Sequence, residues 1–339
     1  MRIRWAWITT SVLLVTTSCA AERTPPTIVA APAAAPAASA GSAPVEPRPK
    51  APSKGFFDAT PDSFDDDPSL PAGTVRVAVV DADGNPMPRA VVLFETVIVR
   101  AASAGLDVIA KETAVADDKG TAIFRKRSVD PGHHHVASTW RGDGTFSVRP
   151  FTLDANAGKR VVLHAYETVR AVEQSSMAMQ TAIFLSVRAD TIDLEVLHRI
   201  VNLGRTAWVP ANVRVAFPPN VSDFFVSDLG MPVRLAEISP AGFSLVGTVP
   251  PGTQELGYHY RVPRDRSGSQ RLVLDLPPRN AMVRVILDAG GPARLEVAEF
   301  SKAKAKVSEG KAMLIAERVA EPGTPGVKTV DITLAGDPR

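Results

Sequence analysis

Val75-Arg76-Val77-Ala78-Val79-Val80, followed at once by Asp81-Ala82-Asp83-Gly84-Asn85-Pro86, decides the fold class. Val75, Val77 and Val79 alternate with Arg76 and Ala78, which is the two-residue period of a strand with one buried face. Every residue of the Asp81–Pro86 group suits a turn. A second apolar run, Ala90 to Val99, follows directly. Asp117-Asp118-Lys119-Gly120 then predicts another turn before Thr121-Ala122-Ile123-Phe124, and further strand-like runs cover Phe146 to Phe151 and Arg160 to Tyr166. Strand, turn and strand in short succession predict that folded β sequence begins near Gly73.

The pattern continues downstream. Ile192, Leu194 and Val196 alternate with Asp193 and Glu195, and Val213, Val215 and Phe217 alternate with Arg214 and Ala216. Asn202-Leu203-Gly204 and Pro218-Pro219-Asn220 interrupt them, and Leu256, Tyr258 and Tyr260 are again spaced by two. Strand signals every ten residues or so predict a second sandwich over residues 168–280. Val283, Val285, Leu287, Leu295, Val297, Val330, Ile332 and Leu334 extend the alternation through 281–339. About sixty residues make a marginal core alone, so this stretch is expected as a C-terminal β unit packed on the second domain. Val169 to Gln180 is the one place where a short connecting helix is expected. The expected fold class is therefore all-β, with two or three β-sandwich units.

Upstream lies a different kind of sequence. Residues 30–52 are nearly all alanine, proline, serine and glycine, with too little to bury to offset the entropy of ordering. Residues 19–72 are accordingly expected as a mobile linker. At ~3.1 Å per residue in polyproline geometry, fifty residues reach on the order of 100 Å. The acidic group Asp58, Asp62, Asp65, Asp66 and Asp67 reads as a solvated boundary at its far end.

Residues 1–18 begin with Arg2 and Arg4, run without charge from Trp5 and close on Thr16-Thr17-Ser18. A basic start, a short apolar body and a small-residue end form a secretory signal. Elsewhere nothing approaches ~18 uninterrupted apolar residues, so no other spanning segment is expected. Cys19 is the only cysteine. With no partner for a disulfide, an exported thiol is unusual unless its sulfur is already in use.

Several resemblances follow from these residues. Val15-Thr16-Thr17-Ser18-Cys19 resembles the lipobox of bacterial lipoproteins, with Thr16 where leucine is commonest; it implies lipidation of Cys19 and a membrane anchor. Ala20 after the cysteine resembles the signal for outer-membrane placement in a Gram-negative host. The alternative is a signal cut after Ala21 that leaves a soluble protein. The runs Val77–Asp81, Gly84–Pro86, Ala90–Val92 and Asp118–Phe124 resemble the carboxypeptidase regulatory-like family of small transthyretin-like sandwiches. That resemblance covers about Gly73 to Glu167 and implies a fold and an accessory role without peptidase activity. The stretch Arg100 to Thr113 departs from the family as an insert, expected to lengthen a loop. The second domain is loosely similar to bacterial immunoglobulin-like modules.

Composition and motifs narrow the function. Net charge is +2, with 38 basic against 36 acidic residues, so no field points to nucleic acid. No Gly-x-Ser-x-Gly, His-Glu-x-x-His, P-loop or Gly-x-Gly-x-x-Gly pattern occurs, which argues against an enzyme and leaves no cofactor to expect. Metal-ligand candidates are His133 and His135, which would share a strand face, completed by His164 or Asp143; exposed loop histidines after the Asp130-Pro131-Gly132 turn are the plainer expectation. Asp81-x-Asp83-Gly84-Asn85 begins like a calcium loop, but its twelfth position is Val92, and a turn explains it better. Trp140 and Trp208 could stack on sugar rings if exposed, whereas Tyr258 and Tyr260 are expected as core or cross-strand aromatics. Lys302, Lys304 and Lys306 would line one strand face, either toward anionic groups or as guards of a sheet edge. The leading expectation is a non-catalytic, lipid-anchored envelope protein presenting binding or spacer domains to a protein or glycan. The alternatives are a periplasmic enzyme or enzyme accessory acting on envelope polysaccharide or peptide, and a metal-binding protein.

Overall fold

A computed structural model describes residues 62–100, 105–226, 232–265, 268–288, 293–308, 310–321 and 323–336. The signal, Cys19 and most of the expected linker lie outside them. In chain order the first strands are β1 (Ser63–Asp67), β2 (Val75–Val80), β3 (Val91–Arg100), β4 (Gly105–Val115), β5 (Thr121–Phe124), β6 (His133–Arg141), β7 (Gly144–Ser147) and β8 (Gly158–His164). They form two four-stranded sheets, β1-β8-β2-β5 and β4-β3-β6-β7. Val75, Val77, Val79 and Leu163 of one sheet pack against Phe94, Ala137 and Phe146 of the other, closing a sandwich core.

The two turns flanking this core are built alike. Asp81 Oδ1 accepts from the backbone N–H groups of Asp83 and Asn85, at 2.8 and 2.9 Å. Asp117 Oδ1 accepts likewise from Lys119 and Thr121. A carboxylate that caps its own loop is turn chemistry, which is what the calcium-like spelling amounts to here. Gly120 is required at the second turn: its φ is +71°, and an added Cβ would lie 2.8 Å from Val79 O.

Two expectations change in this sandwich. The insert from Arg100 is no loop, because Val91–Arg100 and Gly105–Val115 pair as a long antiparallel hairpin. The linker also ends sooner than residue 72, since β1 runs antiparallel to β8 from Ser63↔Val162 to Asp67↔Gly158. Side chains of β8 meet the acidic residues of this segment. Lys159 Nζ lies 2.7 Å from Asp66, and His164 Nδ1 lies 2.9 Å from Asp62. Phe64 stacks on Phe151 with ring centroids 5.4 Å apart.

The chain continues through β9 (Thr168–Val169), a 3-10 turn at Val172–Gln174, β10 (Met177–Val187), β11 (Thr191–Asn202), β12 (Ala207–Trp208), β13 (Arg214–Ala216), β14 (Ser222–Val226), β15 (Val233–Ser239), β16 (Gly242–Gly247) and β17 (Gly252–Pro263). It ends with β18 (Ser269–Asp275), β19 (Asn280–Asp288), β20 (Arg294–Val297), β21 (Lys304–Ser308), β22 (Lys311–Val319) and β23 (Thr329–Ala335). A seven-stranded sheet, β14-β17-β11-β10-β19-β22-β21, carries two small sheets, β13-β16-β15 and β18-β23-β20. Ile183, Leu194 and Val285 of the large sheet share one core with Phe243 and Leu245 of one small sheet and Leu274 and Ile332 of the other.

Residues 281–339 are therefore not a unit packed onto a finished domain. Strand β19 lies inside the large sheet, parallel to β10 on one side and antiparallel to β22 on the other. The short marginal segment gains its stability by completing a larger core. Both sandwiches belong to one compact unit. The joint between them is the two-residue strand β12, parallel to β9: Ala207 is buried in the first core and its neighbour Trp208 in the second.

Candidate functional site

The histidines expected as metal ligands serve the first sandwich instead. His133 and His135 do share a face, but both turn to Ser128: His133 Nδ1 lies 2.7 Å from its hydroxyl and His135 Nε2 lies 2.8 Å from its carbonyl oxygen. A carbonyl only accepts, so His135 carries its proton on Nε2 and accepts from the Thr96 hydroxyl at Nδ1, 3.2 Å away. Burial lowers the His135 pKa, partly offset by the Ser128 hydrogen bond. His164 sits on the opposite sheet, engaged by Asp62, and Asp143 is held by Arg170 at 2.8 Å. Among the described residues no group of three His, Cys, Asp or Glu side chains could hold a metal ion. The expected ligands are thus held in three separate places, each with partners of its own.

The second sandwich holds a buried polar chain that no local pattern announces. Asn280 Nδ2 donates to Pro277 O, and Asn280 Oδ1 accepts from the Thr181 hydroxyl. Having donated its proton there, Thr181 Oγ1 accepts from His198 Nδ1–H at 2.7 Å. His198 Nε2 then accepts from the Tyr258 hydroxyl, 3.2 Å away. The donors all point one way, from β17 through β11 and β10 to β19. Burial alone depresses the His198 pKa to about 3, and burial, followed by the nearby Tyr260, raises that of Tyr258. Both groups are neutral at physiological pH, as a fully satisfied network in an apolar core requires. Each partner lies on a different strand, so one-dimensional spacing carried no sign of it.

The two tryptophans separate cleanly. Trp208 is 1% exposed and its indole N–H donates to Arg170 O at 3.1 Å, so the expectation that it stacks on a sugar is corrected: its ring fills the second core. Tyr258 and Tyr260 lie beside it in sequence logic and in burial, their rings 6.2 Å apart within an aromatic cluster that includes Phe217 and Phe243. Trp140 is 46% exposed. It stands opposite Thr145 on β7, while exposed Val91 stands opposite exposed Val115 across β3 and β4. The next outward-facing positions are Ser138 and Ser147, whose hydroxyls meet at 2.8 Å, and Leu93. Glu95 and Lys111, paired at 2.8 Å, occupy the next outward positions of β3 and β4, so this face combines apolar and hydroxyl groups with an ion pair and has an indole as its largest group.

A separate cavity of about 140 Å³ opens at one end of the second sandwich. Ile192, Leu287 and Leu334 form its apolar floor, and Arg264, Gln270 and Arg294 stand at its rim.

No protein-family profile matches the chain, and no curated protein matches it. Among solved structures, an M1 zinc metallopeptidase from Deinococcus radiodurans is similar at 18% identity and a TM-score of 0.29, over 48% of this chain and 42% of that one. Leukotriene A4 hydrolase from Saccharomyces cerevisiae is similar at 11% identity and a TM-score of 0.27, over 47% and 30%. The Corynebacterium diphtheriae major pilin SpaA is similar at 9% identity and a TM-score of 0.19, over 76% and 90%. The chain spans less than half the length of the metallopeptidase it matches. The all-β sandwich architecture rests on the strand pairing itself.

Proposed function

We propose that this chain is a lipoprotein of the bacterial envelope, acylated on Cys19 and placed at the outer membrane, whose Ala/Pro-rich tether carries a non-catalytic head of two β-sandwiches. The first sandwich is the carboxypeptidase regulatory-like module and the second an immunoglobulin-like one. The head presents the face around Trp140 to an envelope protein or glycan.

The observation that carries this reading is the joint. Consecutive side chains, Ala207 and Trp208, are buried in different cores. Ala207 N–H donates to Glu167 O and Val209 N–H to Val169 O, at 2.7 and 2.9 Å. Thr145 N–H donates to Thr248 Oγ1 at 2.9 Å, and Arg205 pairs with Asp83. Two sandwiches locked together present one preorganised surface, which lowers the entropy cost of holding a partner. The histidine rings described above are occupied by structural hydrogen bonds, which favours display over chemistry.

Mass spectrometry of the mature N-terminus tests the anchor: a diacylglyceryl group on Cys19 is expected, and a free N-terminus beyond Ala21 refutes it. A photo-crosslinking residue at position 140, used in envelope preparations, is expected to capture one partner species. Capture that is equally strong from position 273, on the other sandwich, refutes the assignment of the face.

A further inference from the structure

The lysine row absorbed by nothing above belongs to a longer pattern. Registers connect Phe225 on β14, His259 on β17, Glu195 on β11, Phe184 on β10, Ile286 on β19, Ile315 on β22 and Lys304 on edge strand β21 in one unbroken row across the large sheet. Their sequence neighbours Leu194, Ile183, Val285 and Ala316 are in the core. By strand alternation, the row therefore faces away from the two small sheets. Ile286 and Ile315 are half-buried and Lys304 is exposed. Among the described residues, neither Glu195 nor Lys304 has an ion-pair partner.

The five positions from Glu195 to Lys304 are self-complementary. Ile286 is their centre, with Glu195 two strands to one side and Lys304 two strands to the other, each ~10 Å away at the usual strand spacing. A twofold axis parallel to the strands, passing over Ile286, lays a second copy face to face. It sets Glu195 against Lys304 twice and apolar positions against apolar positions between them. A twofold along the row would instead set Glu195 on Glu195 and Lys304 on Lys304. Of the charged residues flanking Ile286 on β19, Arg284 is neutralised within its own chain by Glu317, 2.5 Å away, while exposed Asp288 meets its own copy near the axis, a repulsion that the two reciprocal pairs must outweigh. An anionic surface would suit the lysine alone, but not Glu195 and the apolar centre on the same row.

We propose that the outer face of the seven-stranded sheet is an interface for a second copy of this chain, registered by reciprocal Glu195–Lys304 pairs. Sedimentation velocity of the full chain over a range of micromolar concentrations is expected to show a species of twice the chain mass. Lys304→Glu or Glu195→Lys alone should weaken dimerisation by about tenfold or more, and the double exchange should restore it. These positions are on the surface, and matching thermal melts will show that the variants fold. A monomer at every concentration overturns the proposal, as does a double variant no better than either single one. Binding of the monomer to anionic lipid vesicles, lost in Lys304→Glu, would assign the row to a membrane and overturn it equally.

Discussion

The two sandwiches each bury a histidine, and they use it differently. In the first, His135 is tied to Thr96 on the neighbouring strand and to the Ser128 carbonyl in the adjoining loop. In the second, His198 is the middle of a directed chain that crosses four strands and includes the parallel β10–β19 pair. The lesson concerns topology. An antiparallel hairpin has its register fixed by the turn that joins it, as in the β6–β7 and β10–β11 pairs. Strands β10 and β19 are far apart in sequence and share no turn. A chain of hydrogen bonds that closes only in one register supplies the missing specification, because any slip leaves buried polar groups unpaired.

That comparison can be broken most strongly with acid. His198 is neutral in the fold and its pKa there is about 3, against an ordinary 6.5. The unfolded chain takes up a proton as pH falls below 6.5, while the fold resists until about 3. Stability is thus complete above that window and is lost through it, by on the order of 4 kcal/mol for this group. Tyr258, the titratable group bonded to it, stays uncharged throughout the window. Melting temperature measured against pH should fall steeply for the native chain and more gently for His198→Gln.

Truncation comes next. His198→Ala opens a cavity and strands the Tyr258 hydroxyl and Thr181, and is expected to cost about 3 kcal/mol in urea unfolding. His135→Ala should cost less, about 2 kcal/mol, since one of its two partners is a half-buried loop carbonyl that water can reach, whereas Thr181 and Tyr258 are both buried. Equal costs would erase the distinction between a local tie and a cross-sheet lock. The smallest effect belongs to Trp140→Ala, within about 0.5 kcal/mol of the native stability because the ring is half in solvent. Its consequence is expected in partner capture, with binding to envelope extract lost while the melting curve is unchanged.

Much of this architecture was legible in one dimension. Val75, Val77 and Val79, like Val283, Val285 and Leu287, declare a strand with one buried face wherever they are read, since backbone pleating alternates side chains whatever the neighbours are. The capping carboxylates of Asp81 and Asp117 act within four residues and are equally local. The Ser63–Asp67 strand was not legible. Three consecutive aspartates read as solvated until Lys159 and Arg160, about ninety residues away, are brought alongside. Trp140 and Trp208 are the same residue type in similar company, and only packing decides which ring is covered.

The sequence by itself determined an all-β protein with two sandwich-forming stretches beyond an Ala/Pro-rich segment, because strand period and turn chemistry are properties of a few adjacent residues. Tertiary structure alone decided that β19 enters the large sheet beside β10, that β12 joins the two cores, and that the histidines meet hydroxyls and carbonyls. Those outcomes depend on which distant strands exclude water together, and that is a property of the folded whole.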